Sequence, residues 1–426
     1  MRLLLSLILL LPLSYDSLAA PTALRPQRKS RSFRVERVRR SDYVAHGPSA
    51  LSKAHRKFGI APTSFTGVDL SDFEPYEVAK SAVLTTKDSD DDQTGEVAAK
   101  SVQNNVEFIS TVTIGGQNVP MDFDTGSADM WVLNSNMDPS YIQGHTVYHP
   151  DKSSTYKAVE NSNFEISYGD SSWVKGTVCT DTVSIGGATI TDQFIGLPSA
   201  VSQAFVSDTN SNGLVGLAFS SMNTFQPGPQ KTFFDNIAPD LEEPVFTSLL
   251  RSGGIGEYEF GAIDQSKYTG TLVNVSVDPS NGYWQFDTKL FAVGSGPLQS
   301  VADTPTAIAD TGTSLMLVSD QILNAYYGQV ENARYSPSSG GYIYPCSADL
   351  PSLTVALGDK YQATIPGSMI KFAEVGTNTT TGGTVCYGGL QSSSGSSMMV
   401  FGDVFLKALF VVFDQRGPSL AFASPK

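Results

Sequence analysis

Two short stretches of this chain have the composition of a hydrolytic site. Phe123-Asp-Thr-Gly-Ser127 and Ala309-Asp-Thr-Gly-Thr313 each carry an Asp-Thr-Gly triplet directly behind apolar residues. Two carboxylates brought together cannot both ionise freely, because like charges at short range raise one pKa. Asp124 and Asp310, once paired, hold one proton between them and titrate as a unit. The ionised member deprotonates a water while the protonated member polarises a peptide carbonyl: general acid–base hydrolysis with no covalent intermediate and no cofactor. Gly126 and Gly312 let backbone approach carboxylate and substrate closely. The short hydroxyls of Thr125 and Thr311 reach across to the other copy, and Ser127 and Thr313 are expected to hydrogen-bond the outer carboxylate oxygens.

One such triplet is more often a turn than a site, by roughly ten to one for so short a motif. Here each has a companion, Leu214-Val-Gly216 and Val400-Phe-Gly402. Gly216 lies 92 residues beyond Asp124, and Gly402 lies 92 residues beyond Asp310. Matched companions at matched separation indicate duplicated lobes.

The elements that must position these residues are mostly strands. From Glu107 onward, short alternating runs end in Gly, Asn, Ser or Asp, as in Phe108–Ile114 before Gly115-Gly116 and Asp181–Ile185 before Gly186-Gly187. Hairpins are the natural reading. Helical candidates are few: Thr232–Ile237, Pro244–Arg251 and Ser319–Gln329.

With 426 residues the chain is long enough for two domains and extensions, and low charge with many β-branched and aromatic residues favours β structure. Arg2, the apolar run Leu3–Leu13 and the small residues around Ala19 read as a secretory signal over 1–19, too short to span a bilayer; no membrane anchor is expected. Pro21 to Ile60 holds eleven Lys/Arg against two acids, whereas Ser101 onward holds thirteen against thirty. Such segments attract each other near neutral pH and less so as carboxylates protonate. An acidic body also argues against nucleic acid. Three cysteines fit no four-ligand zinc site; His145 and His149 are followed by Pro150 and lack a third ligand, so no metal is expected. His46 and His55 fall in the basic leader, which leaves poor material for a Ser/His hydrolase. Asn274 and Asn378 head glycosylation acceptor triplets suited to a secreted protein.

The segments Phe123–Val132 (FDTGSADMWV), Ile166–Asp170 (ISYGD), Asp208–Phe219 (DTNSNGLVGLAF), Ala309–Ser314 (ADTGTS) and Phe401–Leu406 (FGDVFL) resemble the pepsin family, specifically its fungal secreted, penicillopepsin- and aspergillopepsin-like branch. The resemblance runs from about Glu107 to the C-terminus. It implies a mostly β, bilobal pepsin-like fold: two pseudo-twofold-related, β-barrel-like lobes with the active-site cleft between them, over 96–285 and 286–426. The family resemblance implies a flap carrying Tyr168, Gly169 and Asp170, with the Trp131 indole N–H bonded to Tyr168. It makes Phe205 and Leu214 walls of the pocket before the scissile bond and adds Ser314 to the substrate-facing residues. Gly126, Gly169 and Gly312 offer backbone to a protein or peptide substrate bound extended in the cleft. A Cys346–Cys386 disulfide is implied, with Cys179 left as a small buried hydrophobe.

Ala50–Ile60 (ALSKAHRKFGI) resembles the propeptide of fungal relatives, which puts Lys57 between the two aspartates and Phe58 in a neighbouring pocket. Residues 20–95 are then an inhibitory leader, cut somewhere between Lys80 and Ser101. The resemblance implies a secreted, monomeric acid endopeptidase made as a zymogen, preferring large apolar residues. Asp170 has two readings of equal weight, acceptor of a substrate Lys or Arg and solvent-facing carboxylate. Ser171, Trp173 and Cys179 depart from the family pattern and leave fine specificity open. A catalytically dead binding protein would lack an Asp, a motif Gly or the flap Tyr, and all are present. A vacuolar protease would carry a further disulfide, yet no Cys lies between Trp131 and Tyr168.

Overall fold

The structure, a computed structural model, describes residues 32–39, 45–58, 60, 108–167, 173–207, 209, 212–251, 256–303, 305–378 and 380–426. The signal segment 1–19, the acidic stretch at 88–92, the cleavage region at 80–101, the flap residues Tyr168, Gly169 and Asp170, and Ser171 lie outside the described residues.

The chain is mostly β, and its two halves repeat one strand arrangement. In the first half, Gln117–Asp124 runs parallel to Gly213–Gly216, with Asp124 opposite Gly216. Met130–Val132 then lies antiparallel to that same strand and parallel to Ala188–Val201. In the second half, Thr306–Ala309 runs parallel to Met399–Phe401, with Ala309 opposite Phe401. Met316–Val318 lies antiparallel to Met399–Phe401 and parallel to Leu390–Ser392. In each half, the loop bearing the triplet is trapped between strands paired to a third strand.

The matched glycines follow from this geometry. A Cβ on Gly216 would overlap backbone of Ala128 and Asp129, and one on Gly402 would overlap backbone of Thr313 and Leu315. Only glycine lets the strand pass so close beneath the Asp loop.

Strand pairing links the halves into one body. The order Tyr268–Ser276, Ser419–Pro425, Phe410–Asp414, Val245–Leu249, Gly256–Phe260 joins C-terminal strands to those of the first half. Stacked rings, Phe246 on Phe413 at 4.5 Å and on Phe260 at 5.5 Å, fill the core beneath.

Two N-terminal elements are built into the molecule: strand β1 (Phe33–Arg39) and helix α1 (Gly47–Phe58). β1 pairs antiparallel with Gly256–Phe260 on one side and Phe108–Ile114 on the other. α1 buries Ala50, Leu51 and Ala54, spaced i, i+1 and i+4.

The helix expectations are met unevenly. Thr232 caps a helix at Phe233–Ile237, its hydroxyl accepting the Asp235 N–H at 3.1 Å, and Asp320–Tyr327 is helical. Pro244–Arg251, expected as a helix, is instead the strand Val245–Leu249. All five residues of that strand, Val-Phe-Thr-Ser-Leu, are buried, so its burial follows no period with which to separate strand from helix. Helix α1 was not among the expected helices.

Candidate active site

The triplets sit at the ends of the paired strands and face each other. Thr125 N–H donates to Thr311 Oγ1 at 3.1 Å, and Thr311 N–H donates to Thr125 Oγ1 at 2.9 Å. Each hydroxyl in turn donates across the midline, Thr125 to Ala309 O at 2.8 Å and Thr311 to Phe123 O at 2.7 Å. Buried hydroxyls so satisfied are costly to remove and lock the two loops in register.

Asp124 and Asp310 lie above this lattice, 1 % and 0 % exposed. Gly126 N–H donates to Asp124 Oδ1 at 2.8 Å, and Gly312 N–H donates to Asp310 Oδ1 at 3.0 Å. The symmetry stops at the outer oxygens. Ser127 Oγ donates to Asp124 Oδ2 at 2.6 Å. Thr313 Oγ1 is buried without a hydrogen-bond partner, so its expected bond to Asp310 is not made. Lys57 is placed unequally as well: its Nζ donates to Asp310 Oδ1 at 2.7 Å and Oδ2 at 2.8 Å, and to Asp124 at Oδ1. The ammonium contacts the outer oxygen that the threonine was expected to bond.

Electrostatics divide the pair. Burial pushes both carboxylates up, but the Lys57 charge and the hydrogen bonds from Asp310, Lys57 and Ser127 bring Asp124 below its ordinary value. Asp310 stays above its ordinary value, through burial and the neighbouring Asp124 charge, despite Lys57. For Lys57 the cost of burial is outweighed by the two carboxylates, and its pKa is raised. With the Lys57 ammonium in place, the pair is thus divided into one carboxylate held below its ordinary value and one held above it, and Lys57 is the largest of the influences that lower Asp124.

Around the pair, Trp131 is buried with the Phe205 ring edge-on at 5.5 Å. Leu214, half-buried, packs against the same cluster. Phe58 meets Tyr283, ring centroids 6.1 Å apart. Trp173 is half-buried, with Lys175 Nζ 4.9 Å from its ring centroid. Cys346 and Cys386 form a disulfide, and Cys179 is a buried free thiol. Asn274 is exposed on the strand Tyr268–Ser276. Asn378 accepts N–H groups of Thr380 and Thr381 at 2.9 and 3.1 Å.

Sequence reasoning missed several contacts that hold the N-terminal elements in place. Lys53 Nζ lies 3.8 Å from the buried Asp122. Arg34 pairs with Glu259 at 3.0 Å and Asp264 at 2.7 Å. Tyr283, against Phe58, was also missed. The i, i+4 spacing of Lys53 and Lys57 was the available signal, since it puts both on one helix face, but it has meaning only once α1 is recognised as a helix.

Comparison with known proteins agrees with this chemistry. Residues 107–425 match the family model for eukaryotic aspartyl proteases. An aspergillopepsin A-like aspartic endopeptidase of Aspergillus fumigatus is 58% identical over 425 residues, covering 99% of each chain. Aspergillopepsin-1 of Aspergillus oryzae is 42% identical over 95% of each chain. Penicillopepsin-1 of Penicillium rubens is 44% identical over 78% of this chain and 81% of its own. On the strength of these matches, the chain belongs to the eukaryotic aspartyl proteases and is an aspartic endopeptidase.

Proposed function

We propose that the chain is the zymogen of a secreted acid endopeptidase, with Asp124 and Asp310 as its catalytic dyad. Residues 1–19 are the export signal, 20–95 the inhibitory leader with its cut between 80 and 101, and 96–285 and 286–426 the two lobes. The observation that carries this reading is the contact of one leader ammonium, Lys57, with both aspartates.

With the leader gone, Asp124, supported by Ser127, is the base that takes a proton from water. Asp310 carries the proton that polarises the scissile carbonyl. An extended substrate lies along Gly126 and Gly312, beneath the flap of Tyr168, Gly169 and Asp170. Phe205 and Leu214 favour a large apolar residue before the cut. Asp170 accepts Lys or Arg there; unchanged cleavage after Lys in Asp170→Asn would remove that assignment. Asn274 and Asn378 are proposed as glycan sites, and the mature enzyme as a monomer.

The test is hydrolysis of a denatured protein at acid pH by wild type and Asp310→Asn, each with and without pepstatin. Activity lost in both ways supports the dyad. Activity that survives in the variant and ignores the inhibitor refutes it.

A further inference from the structure

Phe123, the residue before Asp124, is held at two points by a side chain from outside both Asp-Thr-Gly stretches. The Tyr258 ring stacks on the Phe123 ring, with centroids 5.2 Å apart and planes inclined by 25°. Its hydroxyl donates to the Phe123 carbonyl at 3.2 Å, across 135 residues of sequence. Both side chains are buried. The same carbonyl accepts the Thr311 hydroxyl at 2.7 Å. A carbonyl oxygen has two lone pairs, so it takes both donors at once.

Tyr258 comes from the strand Gly256–Phe260 of the first half and Thr311 from the second half. The peptide unit ahead of Asp124 is therefore gripped from both halves. Its counterpart ahead of Asp310, the Ala309 carbonyl, takes the Thr125 hydroxyl at 2.8 Å, and among the described residues no tyrosine reaches it. The threonine lattice is repeated and the tyrosine is not. Tyr258 stands opposite Ser248 of Val245–Leu249 on one side and opposite Val35 of β1 on the other. The Ser248 flank lies outside the leader, so the strand stays paired on that side once the leader is cut.

We propose that Tyr258 is a positioning residue for Asp124, its hydroxyl fixing the peptide from which the base projects. This rests on the dyad reading and adds to it a residue that neither triplet contains. The Asp124 carboxylate is set by Gly126 N–H at 2.8 Å and Ser127 Oγ at 2.6 Å, both in the loop that begins at this peptide. Such bonds favour the ionised form, and they weaken steeply as donor and acceptor leave alignment. With the Tyr258 hydroxyl gone, the carbonyl keeps only the Thr311 donor, and the loop can tilt about that bond. Both contacts to the carboxylate then loosen, which raises the pKa of Asp124. The titratable groups facing Asp124 are Asp310 and, in the uncleaved chain, Lys57. Substitution of Tyr258 leaves both in place.

The test compares cleaved, mature enzymes, with active sites counted by pepstatin titration so that a variant folding in lower yield is still judged per site. Tyr258→Phe removes one oxygen and keeps the stacked ring. Tyr326→Phe is the control, because its buried hydroxyl donates to the Pro351 carbonyl at 2.8 Å, outside both triplets. Each variant loses a buried tyrosine–carbonyl bond, so both should unfold at a lower temperature than the wild type. Only Tyr258→Phe is expected to lower kcat, by about tenfold with KM within about twofold, and to move the acidic limb of kcat/KM up by roughly half a pH unit. A Tyr258→Phe enzyme with wild-type kcat and an unmoved limb overturns the assignment and leaves the tyrosine as core packing. Equal kinetic losses in the two variants overturn it as well, since general loosening would then be the cause. Asp124→Asn is assayed alongside. If it still hydrolyses peptide, the dyad reading fails and there is no base to position; if it is inactive, the first two outcomes judge Tyr258 alone.

Discussion

Thr125 and Thr311 exchange backbone-to-hydroxyl hydrogen bonds at 3.1 and 2.9 Å, and each hydroxyl then donates to a carbonyl of the opposite half. The two carboxylates are held by the network that joins the duplicated halves. Replacing one threonine by the isosteric valine, Thr311→Val, leaves the Thr125 N–H buried without its partner, while the Phe123 carbonyl keeps the Tyr258 hydroxyl at 3.2 Å. Stability is expected to fall by about 1–3 kcal/mol. Because the dyad geometry loosens, kcat should drop more than KM rises. Thermal unfolding and steady-state kinetics on the same preparation check both.

Ser127→Ala removes the 2.6 Å hydrogen bond to Asp124 Oδ2. That bond favours the ionised carboxylate, so its loss raises the Asp124 pKa. The acidic limb of the kcat/KM profile should move to higher pH while the fold is retained. An unmoved limb would mean that Asp124 is not the base.

Lys57→Met leaves two buried carboxylates facing an apolar side chain. The uncleaved chain should lose inhibition at pH 6, with the initial rate on a fluorogenic peptide rising at least roughly tenfold, since breaking a buried pair costs several kcal/mol. The pH dependence of the wild-type contact has a definite sign. Asp310, held above its ordinary value, takes the first proton. Asp124, held below 3.8, contributes to docking above that value and loses its contribution only as pH falls through the depressed one.

Asp129 accepts from Asn223 Nδ2 at 2.6 Å, Thr224 N at 2.9 Å and Thr224 Oγ1 at 3.0 Å, yet burial raises its pKa to about 6. Its ordinary value is 3.8, so ionisation costs more in the folded than in the unfolded chain. Stability should fall as pH rises from about 4 to 6 and level off beyond, by as much as about 3 kcal/mol from this group. Asp129→Asn keeps an acceptor for Asn223 and Thr224 N–H and supplies a donor for the Thr224 hydroxyl. Its stability between pH 4 and 7 should be flatter than the wild type's, measured by denaturant unfolding. Parallel curves would assign the pH dependence elsewhere.

The sequence by itself determined the local chemistry: both Asp-Thr-Gly loops, their glycine companions and the strands around them. These are legible because each depends on a few adjacent residues, and because duplication repeats the same pattern at the same spacing. Val245–Leu249 marks the limit of local pattern, since a segment buried on every side has no periodicity to read. Only the tertiary structure decided the rest. The place of Lys57, 67 residues from Asp124 and 253 from Asp310, was legible only through family resemblance, and it is the docking of α1 that brings the ammonium to both. The Ser127–Asp124 bond is made while Thr313 is left unpartnered, and an ammonium from a distant segment sits on the oxygen Thr313 was expected to bond. Partners so far apart in the chain are chosen by packing of the whole molecule, and residue type and local spacing, without a family resemblance to add to them, carry no record of that choice.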